Sequence, residues 1–264
     1  MIVWRRVLRE QRRSLLGWVL GMAGVVAMYS AFYPSLTSNA KQLNKYLESM
    51  PPAFKELIGG AGAFTTPRGY LQGEIFSIMA PLLLAIYAIG AGARGVAGEE
   101  QGGTLDLLLA YPIERGSIVL QKFAAFATGI VILGLVLWIS ILVIGRPFDL
   151  TVGAGDAAAA CVAVALLAID AGALALAVGC SRGRPGSAVG IATSVLVAMY
   201  LLDILAPSVQ RVAWLQRLSL LHYSSGAQPI TNGLSFGNVA VLAGFALLAL
   251  VGAVVSFDRR DLAV

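Results

Sequence analysis

Six runs of roughly 20 apolar residues, parted by short charged loops, dominate this sequence. They cover 15–33, 75–93, 123–144, 157–180, 187–205 and 239–257, and only Asp170 and Asp203 put a charge inside them. As a helix, each run reaches about 30 Å, the thickness of the hydrocarbon core of a bilayer. A helix also satisfies its own backbone hydrogen bonds, which hydrocarbon demands of any segment crossing it. The sequence therefore predicts an all-α integral membrane protein with six transmembrane helices in one domain, residues 1–264.

Charge supports this reading. Charged residues make up 12% of the chain, about half of what a soluble domain carries. The net charge of +5 then speaks for lipid headgroups and membrane orientation, and not for nucleic acid. With the N-terminus inside, twelve Lys and Arg fall on inner segments and seven on outer ones. The excess predicts that both termini are cytoplasmic. The first run exceeds the apolar core of a signal peptide, although Ser38-Asn39-Ala40 satisfies the size rule for cleavage. The two cysteines, Cys161 and Cys180, lie on one run about 28 Å apart if helical, too far for a disulfide. One His and no CxxC leave no metal-ligand spacing.

Outside the spans, four segments carry information. The start, VWRRVLREQRR, groups Trp4, Val7 and Leu8 on one helical face among five arginines. This predicts an interfacial helix with its apolar face in the membrane. In the first outer loop, Leu43, Tyr46, Leu47 and Met50, then Phe54, Leu57 and Ile58, repeat at helical spacing. They predict two short amphipathic helices packed as a lid. The segment 207–236 is too polar to span and too apolar to stay in water, which predicts re-entrant helices between spans five and six. His222, within it, reads as a surface or packing residue.

The fourth segment, GEEQGGTLDLLLAYPIERG, joins spans two and three. Leu105, Leu108 and Leu109 fall at i, i+3 and i+4 and make one helical face. Thr104 is placed to cap that helix, and Asp106 suits its positive end. Pro112 disfavours helical geometry at Tyr111 and ends it. Glu99, Glu100, Glu114 and Arg115 supply a charged rim. An apolar centre with a charged rim is the anatomy of a protein contact.

Within the spans, Gly90-x-Gly92-x-x-Gly95 matches a dinucleotide fingerprint but follows no strand, so it reads as a site of close helix packing. Gly17/Gly21 and Gly186/Gly190 read the same way, with a dimer seam open as an alternative for Gly17/Gly21. Asp170 sits near the centre of its run, where ionised Asp costs about 3 kcal/mol. Two readings stand: a substrate-path or gating group, or a hydrogen bond to a neighbouring span.

The string EEQGGTLDLLLAYPIER, with Lys122 after it, resembles the segment between the second and third spans of type-2 ATP-binding-cassette (ABC) exporter permeases. The match runs through Glu99, Glu100, Gly103, Thr104, Leu105, Leu108, Leu109, Pro112 and Arg115. The resemblance implies that these residues form a coupling helix seated on a separately encoded ATPase subunit. It implies six spans, a basic interfacial helix before the first, and re-entrant helices before the last. It also implies two ATPase copies, a second and identical permease chain, and a place in the prokaryotic cytoplasmic membrane. No Gly-x-x-x-x-Gly-Lys-Ser/Thr loop occurs, so ATP and Mg belong on the ATPase and this chain is expected to bind no cofactor and catalyse no reaction. The implied activity is ATP-driven export of an amphipathic or hydrophobic substrate, such as a drug, antibiotic or lipid-like molecule. The alternative is an ion-coupled secondary transporter using Asp170.

Overall fold

A computed structural model describes residues 2–38, 66–105, 114–206 and 210–260. Among them every regular element is helical. The first long helix, α1, covers Ile2–Ser38. The second, α2, covers Pro67–Gly95, and a short α3, Ala97–Gln101, follows it. Then come α4 (Arg115–Ile144), α5 (Ala154–Arg182) and α6 (Pro185–Leu205). After a 3-10 stretch, Gln210–Leu218, come two single turns, α7 (Leu220–Tyr223) and α8 (Pro229–Asn232). The last helix, α9, covers Phe236–Asp258. The six expected spans fall inside α1, α2, α4, α5, α6 and α9, each long and apolar enough to cross a membrane.

At the centre of the bundle, α5 packs against α2, α4, α6 and α9. Its sequence explains the position. Ala and Gly dominate AAAACVAVALLAIDAGALALAVG, so neighbouring backbones approach it from every side. One close approach is between Gly92 of α2 and Gly172 of α5, where a Cβ on Gly92 would strike the carbonyl of Gly172. In turn, a Cβ on Gly172 would meet the Phe126 ring and Ala88. Gly92 and Gly95 thus serve helix contact, whereas Gly90 faces only Arg94 of its own helix. By contrast, Gly17, Gly21, Gly186 and Gly190 face nothing within 4 Å among the described residues. Gly21→Ala is therefore expected to leave the thermal midpoint of the purified chain unchanged, within an effect of about 0.5 kcal/mol. A melting curve in detergent checks this.

The entry to α2 departs from α-helical geometry. Thr66 caps it, its hydroxyl accepting from Gly69 N–H at 3.2 Å, with Pro67 at the first turn. Leu71–Met79 is then a π-helix. Pro81 explains the widening, because it lacks the N–H that would bond Ser77 and its ring crowds that carbonyl.

Two expectations changed form. The basic N-terminal segment runs unbroken into the first span, and Trp4 and Val7 of its apolar face meet protein. Val7 packs on Ala125, and the indole of Trp4 donates to Thr128 Oγ1 at 3.3 Å. The small residues of α4 along that stretch give the face a surface to fit. The segment before α9 dips alongside α5. Ser224 Oγ donates to the Ala163 carbonyl at 2.9 Å, about 13 Å along α5 from its start. Leu220 and Leu221 pack with Leu167 and Leu242, and Gln72 donates to the Ser225 carbonyl at 2.9 Å. The two amphipathic helices expected in the first loop (Leu43–Met50 and Phe54–Ile58) lie outside the described residues.

Candidate functional site at the helix ends

Ile2 and Arg260, the first and last described residues, sit at the same end of the bundle, where α2, α5 and α9 finish and α4 begins. Here α2 stops at Gly95 and the chain turns through Val96 into α3. The amides of Glu99 and Glu100 both donate to the Val96 carbonyl, at 3.1 Å each. After α3, Gly102 donates to Gly98 at 3.0 Å, and Gly103 adopts φ 64°, the left-handed geometry that ends a helix. Thr104 then folds back, its amide donating to the Glu99 carbonyl at 2.9 Å.

Adjacent residues on a helix point about 100° apart, so Glu99 and Glu100 reach different neighbours. Glu99 pairs with Lys122 of α4. Side-chain exposures of 5% for Lys122 and 17% for Glu99 place this pair inside the protein. Glu100 receives a two-pronged contact from Arg260, just beyond α9: Nη1 to Oε2 at 2.9 Å and Nη2 to Oε1 at 2.5 Å. Arg260 Nη1 also donates to the Cys180 carbonyl at 3.4 Å. Carbonyls in the last turn of a helix lack an internal partner, and a cation there opposes the negative end of the helix dipole. Arg115, at the start of α4, closes the circuit by donating to the Arg260 carbonyl at 3.2 Å. Gly183, with φ 65°, lies against this group; a Cβ there would overlap both the guanidinium and the Glu100 carboxylate.

Of the residues singled out in the sequence, the structure thus gathers Glu99, Glu100, Thr104 and Arg115 at one point. It turns both carboxylates inward onto bases of this chain. Leu105, expected on an outward face, is 4% exposed and belongs to the main core. Leu108, Leu109 and Pro112 lie outside the described residues. Lys122 was visible only as a basic residue after the motif, and Arg260 only as a charge near the C-terminus. Arg260 stands 160 residues from Glu100, so no local spacing signals the contact.

Asp170 lies elsewhere. It is fully buried between α5 and α9, where its carboxylate faces the backbone N–H of Ala246. A small cleft near the opposite end of the bundle, lined by Tyr223, Pro229, Leu234 and Asn238 among others, does not include it. At that end Asp203 accepts from Gln216 Nε2 at 3.3 Å and approaches His222 Nδ1 at 4.0 Å. His222 is therefore a packing residue with an acidic neighbour.

Residues 1–262 match the family model described as ABC-2 family transporter protein. The chain is also similar to the probable ABC transporter permease protein NosY of Stutzerimonas stutzeri, 37% identical over 65 residues, which is 25% of this chain and 21% of that protein. To the NosY of Pseudomonas aeruginosa it is 44% identical over 45 residues, 17% of this chain and 16% of that protein. The matches span about a fifth of the length of these curated relatives or less.

Proposed function

This chain belongs to the ABC-2 family of transporter proteins, and on that basis we propose that it is the permease of an ATP-driven exporter whose ATPase docks below α3. It is a multi-pass membrane protein with six apolar helices of spanning length. The single observation behind the coupling role is the Glu99–Glu100 pair. The motif segment between the second and third spans is tied by two ion pairs to the ends of helices that cross the bundle. A segment so tied can pass motion on, whereas a free loop would absorb it.

In this reading both termini face the cytoplasm, and two ATPase subunits bind ATP and Mg. Leu108 and Leu109 meet the ATPase, and two identical permease chains enclose the path. The segment between α6 and α9 re-enters the outer leaflet, its amides satisfied by local carbonyls such as those of Ser219, Leu220 and Leu221. The cargo is amphipathic or hydrophobic, since the spans offer few polar groups, with Asp170 and Asp203 their only charges.

The test is co-purification of the chain from its native membrane with an ATP-hydrolysing subunit, followed by hydrolysis in proteoliposomes with and without candidate cargo. Expected is a stable complex whose hydrolysis responds to cargo. A chain that moves cargo down an ion gradient with no ATPase present would replace this reading with one centred on the enclosed Asp170. Leu108→Asp is expected to lower capture of the ATPase at least about tenfold, as loss of a central apolar anchor does. Membrane insertion of the variant should be unaltered, as fractionation would show. Normal capture would remove Leu108 from the contact.

A further inference from the structure

We propose that the Glu100–Arg260 fork is a force-transmitting joint, and that Arg260 is a positioning residue for coupling: it carries displacement of α3 to α5 and α9. This rests on the ATPase-coupling reading above and adds the route of the motion within the membrane subunit.

The argument begins with the two contacts of α3, which differ in kind. Lys122 meets Glu99 as a point charge on a flexible stem, so the two can rotate about each other without losing contact. Arg260 meets Glu100 through two parallel N–H···O bonds, which fix the plane of the carboxylate as well as its position. One contact is a pivot and the other is rigid. A push on the loop after α3 therefore turns α3 about the Lys122 contact on α4 and carries Arg260 with it.

Arg260 cannot follow alone. It follows Arg259, the residue that caps α9, whose last turn is closed by Arg259 N–H donating to the Val255 carbonyl at 3.1 Å. It also holds the Cys180 carbonyl of α5. The displacement thus reaches two long helices that already pack along each other. Gly183 supplies independent support. The chain leaves α5 in a left-handed conformation and without a side chain at a place where a Cβ would push the fork apart. The ends of α5, α9 and α3 are shaped around this contact.

The test uses the complete chain together with the ATP-hydrolysing subunit that co-purifies with it. Spin labels replace Leu20 on α1 and Leu248 on α9, both of which face outward. The labelled chain is diluted with unlabelled chain, and the distance between labels is read without nucleotide and with ATP plus vanadate. The expected result is a nucleotide-dependent shift in the parent chain that falls about threefold or more in Arg260→Ala. Arg260→Lys, which keeps the charge but loses the fork, is expected to fall between the two. ATPase capture and hydrolysis should remain at parental level in both, because Arg260 points into this chain. Melting in detergent identifies any variant that fails to fold; if Arg260→Ala does, Glu100→Gln, of nearly unchanged shape, takes its place. An undiminished shift in the folded variant overturns the joint while leaving the coupling reading intact. Loss of ATPase capture by the variant also overturns it, since the contact would then belong to docking. A parent chain that captures no ATPase sinks the coupling reading itself.

Discussion

Lys122→Met lowers the stability of the folded chain by about 3–5 kcal/mol, the usual consequence of leaving one member of a buried ion pair alone. Glu99 would remain inside the helix junction with its counter-charge gone, and the nearby Thr104 hydroxyl contact, at 3.4 Å, is too weak to replace it. The neutralised pair, Lys122→Met with Glu99→Gln, recovers most of the loss, because no unpaired charge is then buried. The difference between single and double variants is the informative quantity. Denaturant titration in mixed micelles measures it. Equal loss in the single and double variants would show that Lys122 acts through its packing and not its charge.

Gly92→Leu prevents the bundle from closing. The first added carbon meets the backbone of Gly172, and a backbone cannot rotate out of the way as a side chain can. α2 and α5 must separate, and α5 is the helix on which α4, α6 and α9 also pack. Overpacking at this site costs about 3 kcal/mol or more. In lipid the loss is chiefly of close van der Waals contact, since burial between helices removes no apolar surface from water. The expected observation is a membrane-inserted chain that elutes from size exclusion in detergent as aggregate. Gly21→Ala, made in the same way, elutes as the parent does. A folded, monodisperse Gly92→Leu chain would show that the α2–α5 contact is looser than the structure places it.

Much of the architecture could be read before any coordinates. Residues 75–93, for example, carry no charge over a length that crosses hydrocarbon, and they lie within α2 as expected. Gly92 and Gly95 were legible as packing positions for a related reason: small residues inside an apolar run let another helix approach. The helix ends were harder. Pro81 is visible in the sequence, but the length of the π-helix upstream of it, Leu71–Met79, is not. The first arginine cluster suggested a separate surface helix, and nothing local showed that α4 would supply the partner for Trp4 and Val7.

At the candidate site the motif gave the residues but not the direction in which its carboxylates point. Glu99 and Glu100 looked like a rim turned towards a partner, and the structure spends them on Lys122 and Arg260. Leu105 looked outward and is part of the core.

Span number, span length and the choice of helix over strand were decided by the chain alone, because each segment must close its own backbone hydrogen bonds and match a fixed thickness of hydrocarbon. Those are local demands, and local composition meets them. The central place of α5, the contact of Gly92 with Gly172 and the ring around Arg260 were decided only when the helices assembled. Partners 80 to 160 residues apart meet through the geometry of packed helices, and that geometry is not written in any one of them.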